Sequence, residues 1–244
     1  MKTIGIASGK GGVGKTTVAT NLAYALAKAN YRVMLVDGDF GLANVQLALG
    51  LQAKYNIGHY LRGEKTLKEI MVTTGDGLMV IPGASGVGSL ANLKPEELHD
   101  FIKGLANPID PIDYLIFDAA AGISDNVIQL LKACDESLIV VRDDPSSIAD
   151  GYGIIKVLFT EHDYQSIGII ASNVDSENAA KSLVTRINNA CTKFLGIELP
   201  FVGHVEEDSS VKDAAKQYKP VVEIFPTSKA SVNFRALAKA VSGR

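Results

Sequence analysis

Short apolar runs recur along the chain at 3–7, 32–36, 78–81, 114–117, 137–141, 167–171 and 201–204. Most are rich in Val, Ile and Leu and show no polar alternation, the pattern of strands covered on both faces. Helical periodicity fills the intervals near 16–29, 56–72, 95–106, 124–133, 146–161, 177–195, 209–217 and 228–242. The 56–72 interval reads as two short helices broken at Gly63. Such alternation predicts right-handed βαβ units in an α/β fold: a doubly wound, mostly parallel β-sheet flanked by helices. No linker, repeat or low-complexity stretch interrupts it, so residues 1–244 read as one domain. Ligands of such sheets collect at the carboxyl ends of the strands.

One stretch concentrates the chemistry: Ser8-Gly9-Lys10-Gly11-Gly12-Val13-Gly14-Lys15-Thr16-Thr17, between the first apolar run and the Ala-rich pattern from Val18 to Ala29. Gly9, Gly14, Lys15 and Thr16 satisfy the spacing of a phosphate loop. Glycines let the backbone turn tightly and aim several N–H groups at one phosphate. The helix that follows adds its positive end. Lys15 is placed to reach the β- and γ-phosphates, and the Thr16 hydroxyl to ligate Mg²⁺. Gly9, Gly11 and Gly14 also spell G-x-G-x-x-G, with Asp37 near the distance of a ribose-binding acid. Lys15-Thr16 has no part in that dinucleotide motif, so a nicotinamide enzyme is the remote alternative.

Acids stand at the ends of two other predicted strands. Asp37-Gly38-Asp39 sets two carboxylates around a glycine, one suited to a metal-bound water and one to orienting an attacking water. Asp113-Tyr114-Leu115-Ile116-Phe117-Asp118 is an apolar strand ending in a carboxylate, as beside Mg²⁺ in phosphate-loop proteins. Ala119 to Gly122 supplies small residues where a loop can approach a γ-phosphate. Asp143 and Asp144 read as caps of a helix whose first turn holds Asp150, and Arg142 has either acid as a possible partner. Ser172-Asn173 is placed to read a base edge or to make a turn. Glu206-Glu207-Asp208 lines the same rim or caps the next helix. His59, Tyr60 and Arg62 read as surface or packing residues.

Bulk properties narrow the class. Lys and Arg number 24 against 27 Asp and Glu, a net charge of −3, so no global field draws the chain onto nucleic acid. Cys134 and Cys191 form no C-x-x-C, and two reduced thiols in a cytosolic protein are expected. No apolar run approaches a membrane span of about 18–20 residues. No leader is expected from the opening residues.

Lys10-Gly11-Gly12-Val13-Gly14-Lys15-Thr16 resembles the deviant Walker A loop of the MinD/ParA superfamily, with its additional lysine at position 10. Asp37-x-Asp39-x-Gly41-Leu42-x-Asn44 is similar to switch I on the MinD side. Leu49-Gly50-Leu51, Tyr55-Asn56, Ile81 to Gly86 and Ala120-Ala121-Gly122-Ile123-Ser124 are similar to the flagellar-number branch, the FlhG/FleN-type ATPases. The resemblance covers nearly the whole chain. It implies a P-loop ATPase using ATP and Mg²⁺. By it, Gly11, Gly12, Val13, Gly14, Lys15, Thr16 and Thr17 would hold the phosphates, and Asn173 the base. Thr16, Asp37 and Asp118 would surround the metal. Lys10, Lys15 and Asp39 would be catalytic, Lys10 reaching the partner's nucleotide in an ATP-bound homodimer and Asp39 orienting water. Asp150 would lie near the dimer face.

The chain departs from the family pattern at Ala119, Ser172 and Glu206, where a hydroxyl, an asparagine and a proline are usual. Phe234, Leu237 and Val241 read as core, so no separate membrane-targeting helix is expected. The implied function is an ATP-dependent switch regulating flagellar number or placement, in the cytoplasm or at the cell pole. Its partners would be flagellar assembly proteins or flagellar transcription regulators. The alternative is a septum-site or ParA-type partitioning ATPase acting through a partner or DNA. An iron–sulfur carrier on the same scaffold would need paired cysteines.

Overall fold

The computed structural model describes residues 1–39, 44–84, 95–106 and 111–243, the side chains of 95, 97–99 and 106 excepted. The resemblance at Gly41, Leu42, Ser85 and Gly86 therefore lies outside the described residues. In chain order the strands are β1 (Lys2–Ser8), β2 (Val33–Gly38), β3 (Val72–Thr73), β4 (Met79–Ile81), β5 (Tyr114–Ala121), β6 (Glu136–Val141), β7 (Ile167–Val174) and β8 (Phe201–Glu206). The helices are α1 (Lys15–Lys28), α2 (Val45–Ala48), α3 (Ile57–Leu61), α4 (Leu67–Ile70), α5 (Pro95–Ala106), α6 (Asp125–Lys132), α7 (Pro145–His162), α8 (Glu177–Leu195), α9 (Ser209–Lys216), α10 (Val221–Ile224) and α11 (Lys229–Ser242).

Among the described residues eight strands form one sheet in the order β3-β4-β2-β5-β1-β6-β7-β8. Every pairing is parallel except β3 with β4. The two-residue β3 went unanticipated in the sequence, as did the single-turn helices α2 and α10. The missing alternation in the apolar runs has its cause here. Ile4, Ile6, Leu35, Ile116, Leu138, Val140 and Ile170 pack on one face with Leu22, Leu26, Phe234 and Leu237. Leu115, Phe117, Ile139, Val141 and Ile169 pack on the other with Phe101, Leu131, Ile154, Leu158 and Ile187. Strands clad on both sides have no polar face to show. Phe234, Leu237 and Val241 are buried, as expected of core residues.

Caps set the helix limits near the strand ends. Asp144 accepts from Ser147 N at 2.8 Å ahead of Pro145 at the first turn of α7. The helix thus begins early enough that Asp150 sits in its second turn, not its first. Ser176 caps α8, which stops at Gly196 in the left-handed region, φ 72°. Asp208 accepts from Ser210 N at 2.9 Å on α9 and from Ala230 N at 3.1 Å on α11, so one carboxylate serves two helix starts. Thr66 and Glu69 cap α4 reciprocally, and Asn56 and His59 do the same for α3. Gly63, at φ 71°, falls between the two helices, and the Thr66 box starts the second one anew.

β8 is an edge strand, and asparagine amides meet the backbone at both its ends. Asn188 on α8 donates to Leu199 O at 2.9 Å and accepts from Leu199 N at 3.0 Å. Asn233 on α11 accepts from Glu206 N at 3.0 Å. Satisfying these outward groups blunts an edge that would otherwise pair with another strand. Among the described residues no helix is long and apolar enough to cross a membrane.

Candidate nucleotide-binding site

The loop from Gly9 to Gly14 joins β1 to α1 at the carboxyl edge of the sheet. Gly12 and Gly14 have φ of 81° and 93°, a region in which other residues are strained. Gly14 is the N-cap of α1 and supplies no side chain, and no acid stands in the first turn. The helix therefore presents unpaired N–H groups and its positive end to the space above the loop. Among the described residues a Cβ at Gly11 or Gly12 would meet nothing within 4 Å, so the loop's outer face is open there. Val13 instead turns inward, 2% exposed.

Gly9 answers a different demand. A Cβ there would lie 2.3 Å from both the carbonyl carbon and the oxygen of Asp150 on α7. The loop thus lies directly on the backbone of α7, a contact the sequence does not announce.

Lys15 and Thr16 converge on one carboxylate. Lys15 Nζ is 2.7 Å from Asp118 Oδ1, and Thr16 Oγ1 donates to Asp118 Oδ2 at 2.6 Å. Asp118 is buried and faces Asp37 in strand register across β5 and β2. Burial raises the Asp118 carboxyl above the usual carboxylate range, while Lys15 and Thr16 pull it back. The Asp37 carboxyl is pushed up to about 7, first by burial and then by the Asp118 charge. Three N–H groups oppose that shift: Asp39 N at 3.2 Å, Asn44 N at 2.8 Å and Val45 N at 2.9 Å. Asp37 therefore holds the chain on both sides of segment 40–43.

Beside the loop lies a cavity of about 220 Å³, with Gly12, Gly14 and Thr17 on one side and Glu206, Glu207 and Asp208 on the other. Asn173 lies between them with φ 55°, bulged from β7 where the register with β8 shifts. Asparagine tolerates that conformation better than most residues. Its position as a turn residue and as a wall of the cavity are thus one and the same. The rim acids also serve both readings: all three line the cavity, and Asp208 caps. A larger open groove, about 690 Å³, runs along α8 from Lys181 to Thr192 and past Phe201. It includes none of the loop or strand-end residues, so the smaller cavity is the relevant one.

Lys10 points away from its own loop. Its Nζ is 2.8 Å from Asp144 Oδ1 and also donates to Ser146 Oγ, at the start of α7. That lysine and the Ser147 N–H hold the Asp144 carboxyl far below the usual range. Asp143 is ion-paired with Arg186 of α8 rather than capping. Arg142 pairs with neither neighbouring acid and lines the cavity; its placement depends on partners 43 and 134 positions away from the acids, which local reading does not reach. Arg62 pairs with Glu64 at 2.6 Å and His59 is engaged at its cap, as packing residues.

Residues 4–221 match the model of the CobQ/CobB/MinD/ParA nucleotide binding domain. The chain belongs to this family. The antiactivator FleN of Pseudomonas aeruginosa is 38% identical, covering 99% of this chain and 86% of its own. The flagellum site-determining protein YlxH of Helicobacter pylori is 35% identical, covering 92% and 76%. The septum site-determining protein MinD of Pyrococcus horikoshii, solved in complex with Mg-ADP, superposes with a TM-score of 0.83 at 26% identity, covering 98% of this chain and 95% of that one. As a member of the MinD/ParA family, the protein is a nucleotide-binding ATPase.

Proposed function

We propose that this MinD-like ATPase is a single-domain cytoplasmic switch that binds ATP with Mg²⁺, dimerises in that state and regulates the number or placement of flagella. The observation that carries the reading is the convergence of Lys15 and Thr16 on buried Asp118 beneath an open glycine loop at a helix start. A lysine and a hydroxyl drawn to one carboxylate are the donor set that a phosphate tail and a magnesium ion share. Mg²⁺ supplies charge neutralisation at the transferring phosphoryl group.

In this reading the N–H groups from Gly11 to Thr17 cradle the phosphates, and Lys15 shifts from Asp118 to them. Thr16, Asp118 and Asp37 would hold the metal. Asp39 orients the attacking water, and Asn173 meets the base. Lys10 is half-exposed and tied to α7; released, it reaches the nucleotide of a second subunit and neutralises charge only when two copies close. Nucleotide state thereby becomes oligomeric state. The flagellar assignment draws on the names of the FleN and YlxH relatives, and flagellar assembly proteins or transcription regulators are the partners it implies.

Light scattering with and without ATP tests the switch. ATP should raise the mass from one subunit to two, and Lys10→Ala should remove the rise. Equal mass in both states would overturn the dimer. Flagella counted by electron microscopy in a deletion strain test the cellular role; an unchanged count would remove it.

A further inference from the structure

Arg142 follows β6 at its carboxyl end, beside two acids. Both acids are engaged elsewhere: Asp143 by Arg186 from α8 and Asp144 by Lys10 from the loop. The Arg142 backbone is fixed, its N–H donating to Ser147 Oγ at 2.9 Å. Its guanidinium makes no hydrogen bond or ion pair among the described residues, and it is half-buried against the 220 Å³ cavity. Glu206, Glu207 and Asp208 line the same cavity, yet none of them is joined to the guanidinium by a hydrogen bond or ion pair among the described residues. The guanidinium is thus left free to take an anion from outside the chain.

Strand geometry locates that anion. Leu138 and Val140 of β6 face α1, so Arg142, the next residue in that alternation, lies on the same side. Val141 pairs with Ala171, which brings Arg142 level with Ser172. Ser172 Oγ in turn lies 3.0 Å from where a Cβ on Gly14 would sit. Arg142 therefore flanks the Gly12–Gly14 side of the loop, between the phosphate cradle and Asn173. Lys15, Thr16 and Asp118 mark the opposite, terminal-phosphate end.

We propose that Arg142 is a nucleotide-binding residue that takes the α-phosphate, the phosphate nearest the sugar, which ADP and ATP share. The inference rests on the nucleotide reading above. Its consequence is a contact indifferent to the state of the switch: Arg142 holds the nucleotide equally before and after hydrolysis, whereas Lys10 acts only on the closed dimer.

Calorimetry with Mg-ADP, Mg-AMPPNP and adenosine, on wild type, Arg142→Gln and Arg142→Lys, tests it. Arg142→Gln should weaken both phosphorylated ligands by the same factor, about 10- to 100-fold for a lost charge-assisted contact, and leave adenosine unchanged. Arg142→Lys should recover part of the loss. The salt dependence of ADP binding should also weaken in Arg142→Gln, since one screened charge contact is lost, a readout that a folding defect would not mimic. Unchanged ADP affinity overturns the proposal. So does a loss confined to AMPPNP, which places the residue at the γ-phosphate, or an equal loss for adenosine, which places it on the base. A wild type that binds no nucleotide sinks the functional reading itself, a result distinct from all of these.

Discussion

Gly9→Ala is the substitution for which the structure gives the sharpest expectation. The new methyl would sit 2.3 Å from the carbonyl carbon and oxygen of Asp150 and 2.4 Å from its Cβ. Ordinary contact begins at 3.4 Å, so the loop and α7 must part by roughly 1 Å, and the obstacle is backbone that no rotamer change can move. Gly9 is not among the glycines at positive φ, so the whole effect is steric. Overpacking of this kind costs about 1–3 kcal/mol. At about 2–4 °C per kcal/mol for a chain of this length, Tm should fall by about 2–12 °C. A cradle displaced by that distance should also lose on the order of 100-fold in ATP turnover. Calorimetric melting and a phosphate-release assay read the two effects. Gly153→Ala is the control: it lies in the same helix with nothing within 4 Å of the new methyl. Replacing a helix-interior glycine there should raise stability by about 0.5–1 kcal/mol. A Gly9→Ala protein that melts within a degree of wild type and keeps its turnover would refute the argument. So would a Gly153→Ala protein that loses as much as Gly9→Ala.

Three further outcomes are open to measurement. Lys15→Ala leaves Asp118 buried without its cation and should destabilise the ligand-free protein by about 3–5 kcal/mol; urea unfolding reads this, and a shift under 1 kcal/mol would show that the carboxylate is relieved by other means. Asn188→Ala removes both hydrogen bonds to Leu199, which should cost about 1–3 kcal/mol and promote concentration-dependent self-association at β8, visible by sedimentation. Burial pushes the Cys191 thiol up to about 11. The folded state therefore keeps its proton longer than the unfolded chain, so stability falls as pH climbs from about 9 towards about 11. At pH 8 the native thiol should stay unlabelled by a disulfide reagent that labels the urea-unfolded protein at once.

Much of the architecture was legible because double-sided burial leaves a distinctive mark: unbroken runs such as Ile167 to Ala171 and Tyr114 to Phe117 have only one common setting. Gly63 likewise announced a break between α3 and α4, while the caps at Asn56 and Thr66 are seen only in the structure. β3 escaped because two residues carry no periodicity, and it exists only through antiparallel pairing with β4. In the site, spacing and strand-end position singled out Lys15, Thr16 and Asp118, but the direct bonds of the first two to Asp118 are seen only in the structure. The contact of Gly9 with Asp150 and the release of Arg142 left no such mark. Each depends on residues from distant parts of the sequence coming together, which no local pattern encodes. Lys10 stood out through the resemblance to the deviant Walker A loop, yet its resting partners, Asp144 and Ser146, appear only once β6 is placed beside β1.

The shared cap at Asp208 bears on how the cavity can change shape. Val211 and Lys212 bring α9 to its wall, and Phe234 brings α11. Because the first turns of both helices hang from the two oxygens of a single side chain, neither can swing without pulling the other or letting go of the common anchor. That side of the chamber behaves as one stiff panel, and widening to admit or eject a bound molecule falls to the glycine turn that also lines it.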